Sequence, residues 1–232
     1  VALRAVEQKP GAPRRRRIQG SGAALAGVLF AVLFVWGFYL LDYQVDQSAA
    51  DLTAFYSGAG GTAILLAGGY LVPFAGICFI WFLAATRHRI SQLTLREDAL
   101  LATVQLSTGI LFVASFYVAA AAAVASVASV RLAGDDAVVD PALSGTMTAF
   151  GQAMLMIYGL RIAAVFMIAT TTRAMRAGLF PRWFALVSYV AALVLMVALS
   201  YVRAVVLVLP IWVGAVSAVI LFRRVAHRFA EA

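Results

Sequence analysis

The chain has 232 residues, 64% of them hydrophobic and 12% charged, with a formal net charge of +8. Soluble domains carry about 25% charged residues, so this composition excludes a water-soluble enzyme on a single anchor and leaves no room for a separate soluble domain. The isoelectric point near 10.2 does not point to nucleic acid, because the basic residues sit at the ends of apolar runs and not along a stripe with interleaved aromatics.

Residues 1–19 are polar and contain Pro10, Gly11, Pro13 and the run Arg14, Arg15, Arg16 and Arg17. They are expected to form a mobile basic tail. Basic residues beside a membrane attract anionic lipid headgroups at about 1 kcal/mol each. The four arginines are therefore candidate headgroup contacts as well as topology determinants. A basic segment before an apolar run is also the pattern of a signal peptide. Here the run Ser21–Leu41 is too long for one, and the triplet Ala24 to Ala26 lies at the wrong end for cleavage. The run is read as a retained first span, about 22–41.

Between Asp42 and Gly61 the chain is acidic and aromatic. Ser48 and Asp51 resemble a capping box, and Leu52, Phe55 and Tyr56 fall on one side of the helix that would follow. This segment is expected to be either a short amphipathic helix on the outer membrane surface or a solvated loop. The second span covers about 62–85, with Pro73 expected to kink it among Gly68, Gly69 and Gly76. The third covers about 99–130. Asp140 and Pro141 read as N-cap and first residue of the next helix, and the fourth span covers about 145–172.

The apolar run Trp183–Phe222 has 40 residues, too many for one crossing, since about 20 suffice. A turn near Ser200–Arg203 divides it into spans of about 183–200 and 204–222, with Pro210 kinking the last. The predicted fold is an all-α membrane protein. A membrane domain over 20–224 holds six transmembrane helices as three antiparallel hairpins, and a short tail covers 225–232.

Orientation follows from the basic residues. With the N-terminus in the cytoplasm and six crossings, fifteen of the 18 basic residues lie inside and only Arg131 and Arg203 outside. That bias satisfies the positive-inside rule and places both termini in the cytoplasm. Seventeen of the 18 are arginine, which with the abundant alanine suggests a GC-rich bacterial genome and hence a bacterial cytoplasmic (inner) membrane.

The remaining basic residue, Arg161, sits near the middle of the fourth span, on the order of 16 Å from its Arg173 end. A charge at that depth costs about 2.5–3.5 kcal/mol on the lowest scale and usually faces the bundle interior with a partner. No Asp or Glu lies within any span, so neutral groups must serve: Gln105, Thr108, Ser115 and Tyr117 on the preceding helix, with Tyr158 beside Arg161 on its own. Arg161, Tyr158, Gln105 and Thr108 are the candidate contact residues for a ligand or partner. Two roles are open to Arg161. It either anchors an anionic group in a cavity or bonds to carbonyls, hydroxyls or an acid on a partner subunit.

Other chemistry finds little footing. His88 and His227 stand at span ends, which rules out a bis-histidine haem deep in the bundle and a Glu-x-x-His di-iron site. No metal site or cofactor is expected. Cys78 is the single cysteine and forms no disulfide within the chain. The glycines at 58, 60 and 61 resemble an anion-binding turn, but the start of span 2 accounts for them better.

The basic tail and first span (GAALAGVLF), the outer segment DLTAFYSGAGG, the second span GGYLVPFAGICFIWFLAATR and the closing PRW…LPIWV…LFRR resemble a group of uncharacterised actinobacterial six-span membrane proteins. The resemblance implies fold and location and carries no activity. The expectation is a non-enzymatic structural or accessory subunit, packing against lipid and against either partner subunits or further copies of itself. The alternative is a small transporter or channel for an anionic or amphiphilic solute that uses Arg161.

Overall fold

The structure, a computed structural model, describes residues 19–41, 48–94, 98–134, 139–197 and 203–230. Nearly all of these residues are helical, with no strand among them. The helices are α1 (Gln19–Leu41), α2 (Ala49–Ser57), α3 (Ala59–Leu93), α4 (Ala99–Ala133), α5 (Pro141–Arg176), α6 (Arg182–Val197), α7 (Arg203–Val206) and α8 (Val208–Ala230). Five described segments, α1, α3, α4, α5 and Ala204–Leu221 (α7 continued into α8), are long and apolar enough to cross a membrane, and the chain is a multi-pass membrane protein. Helix α6 has 16 residues, about 24 Å at 1.5 Å each. The expected turn near 200–203 falls largely outside the described residues.

Local signals set the helix ends. Asp98 caps α4 by accepting from Leu101 N at 3.2 Å, and Asp140 caps α5 by accepting from Ala142 N at 2.9 Å, with Pro141 next. Helix α5 closes on Gly178 at φ 67°. Leu179 N donates to Ala174 O at 2.8 Å and Gly178 N to Met175 O at 3.0 Å. That is the Schellman pattern, which needs a residue able to adopt the left-handed conformation. Pro181 follows and prevents continuation.

The helices run longer than the predicted spans: 59–93 against 62–85, and 141–176 against 145–172. At 1.5 Å per residue, α4 and α5 each exceed 50 Å, about 20 Å more than a hydrocarbon core. Hydropathy finds the part of a helix that lies in lipid, while caps mark where the helix ends.

Two wide π turns interrupt the helices. The first, Ala67–Leu71, precedes Pro73, and Val72 N reaches back five residues to Ala67 O. Proline has no N–H, so the α ladder cannot pass through it unchanged. Tyr117 of α4 donates its hydroxyl to Pro73 O at 3.1 Å. The second, Met154–Gly159, has Leu160 N donating to Leu155 O.

Packing follows a closed order around the bundle. Helix α1 packs on α3, α3 on α4, α4 on α5, α5 on α6, and α8 meets both α6 and α1. The centre is filled by rings: Phe30, Phe34, Phe79, Phe112, Phe116 and Phe166 are essentially fully buried. Phe79 lies 4.9 Å from Phe30, 5.3 Å from Phe112 and 5.2 Å from Phe166, which in turn stands edge-on to Trp212 at 6.0 Å. Lipid tails are as apolar as these rings, so what holds the centre is close packing rather than escape from water.

Helix α2 forms as the capping signal predicts. Ser48 Oγ accepts from Asp51 N at 3.4 Å and donates to Asp51 Oδ2 at 2.7 Å. Its apolar side does not lie on the membrane surface. Leu52 and Tyr56 are buried in a second cluster with Ile64, Val127, Val130 and Val139, and Tyr56 shares a 2.6 Å hydrogen bond with Ser144 of α5. The glycines that follow make a close turn: a side chain on Gly61 would collide with the Tyr56 carbonyl.

Candidate functional site

The buried stripe of α5 decides which arginine faces the core. Leu160, Ala163, Met167, Thr170 and Ala174 are buried at alternating spacings of three and four, the periodicity of a core-facing helix. Arg161 lies off this stripe. Its neighbours Ile157 and Tyr158 are exposed, Tyr158 by 58%, and its own side chain is half-buried. The expectation of an Arg161 buried in the interior is therefore corrected: it sits on the flank of α5.

Its guanidinium is satisfied by carbonyls of its own helix. Nη1 donates to Ile157 O at 2.6 Å and to Met156 O at 3.4 Å. Both belong to the second π turn, where a five-residue reach skips a carbonyl and leaves acceptor capacity unused. A side chain leaning toward the helix N-terminus reaches that turn naturally. Of the two roles open to Arg161, its geometry is that of the carbonyl-bonded one.

None of the four expected partners on α4 bonds to Arg161. Thr108 donates to Val104 O at 2.6 Å, Ser115 to Leu111 O at 3.0 Å, and Tyr117 to Pro73 O. Gln105 is fully buried and faces a different arginine. Arg173 Nη1 donates to Gln105 Oε1, and Gln105 Nε2 donates to Thr170 Oγ1 at 2.9 Å. Arg173 is only 3% exposed. Its position three residues from the end of α5 suggested access to water, but the neighbouring helices extend past it. The signal in the sequence was the stripe itself, because Thr170 and Arg173 both sit on its edge at α-helical spacing.

Thr86 of α3 and Thr171 of α5 are also fully buried, and their hydroxyls have no hydrogen-bond partner. One turn further out, Arg176 Nη1 pairs with Asp98 Oδ2 at 2.7 Å, joining the end of α5 to the cap of α4. Arg87, Arg173, Arg176 and Arg182 thus gather at one end of the bundle, the basic end. At the opposite end Arg131 Nη2 donates to Thr62 Oγ1 at 2.7 Å. Arg14, Arg15, Arg16 and Arg17 lie outside the described residues.

The node is a clamp. Its groups are a guanidinium, a carboxamide and hydroxyls, none of which is a general base near neutral pH. Among the described residues no group of three His, Cys, Asp or Glu is placed to hold a metal ion. A cavity of about 50 Å³ lies toward the opposite end between α1, α4 and α5, lined mainly by Phe38, Phe116, Ala120, Leu155 and Met156 with Thr148 and Gln152. A larger open groove of about 370 Å³ lies toward the basic end between α3 and α4, with Arg87, His88 and Ser91 at its polar side. Comparison with known protein families, characterised proteins and solved structures finds no match to this chain.

Proposed function

We propose that the chain is a non-enzymatic structural or accessory subunit of a bacterial cytoplasmic membrane. Six helices cross it as three antiparallel hairpins, α6 being the short fifth crossing, and both termini face the cytoplasm. The observation that carries the proposal is the ring-filled centre: Phe30, Phe34, Phe79, Phe112 and Phe166 are in one continuous chain of contacts across the middle of the bundle. A centre packed this way suits a scaffold rather than a conduit. The gathering of described arginines at one end supports the orientation through the positive-inside rule. The hydrogen bond from Trp212 Nε1 to Ser188 Oγ, 2.9 Å long and buried, supports pairing of α6 with α8. Transport has less support, because Arg161, which motivated it, is bonded to its own helix outside the packed face.

The test is affinity purification of the tagged chain from its native membrane in mild detergent, with cross-linking before extraction. A stoichiometric second subunit or a discrete homo-oligomer is the expected result. A well-behaved monomer that captures nothing overturns the accessory role, and accessibility of either terminus from the outer face overturns the orientation.

A further inference from the structure

The groove between α3 and α4 has a graded lining. On α3 it is formed by Ile80, Leu83, Ala84, Arg87, His88 and Ser91, one stripe at spacings of three and four that rises on the order of 16 Å along the helix. Leu106 and Ile110 of α4 complete its apolar half. Going toward the basic end, the lining changes from wholly apolar to arginine, histidine and serine. No acid lines it. Ile80 and Ile110 are about half exposed, so the apolar half opens sideways out of the bundle.

Arg87 is the unusual member. Its Nε is buried and has no hydrogen-bond partner. Buried donors of this kind are normally satisfied, and a guanidinium beside an apolar slot matches a phosphate oxygen in charge and geometry. His88 adds a donor: Gln92 Nε2, an amide nitrogen that can only donate, lies 2.9 Å from His88 Nε2, so that ring nitrogen accepts and Nδ1 carries the ring N–H. The groove volume falls at the lower end of the roughly 300–1,000 Å³ range of ligand sites.

We propose that this groove binds an anionic phospholipid of the surrounding leaflet, its phosphate on Arg87 and His88 and one acyl chain along Ile80, Leu83, Leu106 and Ile110. Charge complementarity at one end and continuity with lipid at the other select this occupant. The proposal rests on membrane residence but not on the accessory role.

The test uses the full chain in nanodiscs containing equal phosphatidylglycerol and phosphatidylcholine, with retained lipid counted by native mass spectrometry after gentle delipidation. Retention of phosphatidylglycerol over phosphatidylcholine is expected. Arg87→Gln should lower it roughly tenfold, the loss of one charge-assisted phosphate contact. Ala84→Trp, which fills the slot, should abolish the preference, and Arg131→Gln at the opposite end should leave it unchanged. Should the variants fail to fold, a photoactivatable phosphatidylglycerol on the unmodified chain should label residues 80–91 and 106–110. Labelling elsewhere, equal retention of both lipids, displacement by millimolar inorganic phosphate alone, or, in the native membrane, cross-links from the groove to a protein partner would each overturn the proposal. Because the assay uses the isolated chain, its failure leaves the accessory role standing, and failure of that role leaves the lipid site standing.

Discussion

Gln105 and Arg173 meet where α4 and α5 pack at the basic end. Arg173 donates to the Gln105 carbonyl oxygen, and the Gln105 amide passes the contact on to Thr170 at 2.9 Å. Hydrogen bonds to a charged group contribute about 1.5–3 kcal/mol each when buried. Gln105→Leu keeps the volume but removes the acceptor, so thermal unfolding in detergent should show a loss of about 2 kcal/mol. Gln105→Glu, which keeps an acceptor and adds the opposite charge, should restore most of it.

Arg161 should behave differently although it lies nearer the middle of the same helix. Arg161→Leu removes a guanidinium from the half-exposed flank and leaves the Ile157 carbonyl one donor short. The two effects oppose one another, and the net change in stability should stay within about 1 kcal/mol. A loss as large as that of Gln105→Leu would mean that Arg161, and not Arg173, is the core arginine.

Helix contact between α4 and α5 depends on Gly151. An added Cβ there would stand 2.9 Å from Ala119 O and 3.3 Å from the Ala122 side chain. A backbone carbonyl cannot swing aside, so Gly151→Ala should destabilise by about 1–3 kcal/mol. Gly145 lies two turns earlier with open space around it, and Gly145→Ala should stabilise α5 by up to about 1 kcal/mol. Paired unfolding curves separate close approach from helix propensity.

At the opposite end Tyr56 and Ser144 share a buried 2.6 Å hydrogen bond between α2 and α5. Tyr56→Phe strands the serine hydroxyl and should cost about 1–2 kcal/mol. The double variant Tyr56→Phe with Ser144→Ala should recover part of that, because neither partner is then left alone. Faster proteolysis within α2 at unchanged global stability would show that α2 opens as its own unit.

Asp98 does two jobs, capping α4 through Leu101 N and pairing with Arg176. Both side chains are more than a third exposed, so salt screens the pair and it contributes under about 1 kcal/mol. Asp98→Asn retains capping and should lose only the salt-sensitive part. Asp98→Ala should lose about 1 kcal/mol more, and that further loss should persist in high salt.

Much of this layout was legible in the chain. The caps at Ser48 and Asp140, the disruption at Pro73 and the apolar runs of α1, α3, α4, α5 and α8 carry strong local signals, whereas the Asp98 cap of α4 emerges only in the structure. What local signals could not give was rotation about a helix axis. At about 100° per residue, the twelve steps from Arg161 to Arg173 turn the helix by 120° beyond whole turns, so both could not share a core-facing stripe. Depth along the helix suggested Arg161; the rotational phase of Leu160, Ala163, Met167, Thr170 and Ala174 favours Arg173. The neighbours of Gln105 and Tyr56 came from long-range packing, which no spacing within one helix reveals. The groove beside Arg87 likewise needs two helices side by side.

The bundle closes where α1 lies against α8, with Gly27 set so close to Ser217 and Phe82 that a methyl group there would collide with both. Helix α1 is synthesised well before α8 and waits for it before this face is covered. During biogenesis the seam stays open until α8 has been made, leaving Gly27 and the rings beside it facing lipid or an insertase. Premature termination ahead of α8 would release a bundle with one wall missing.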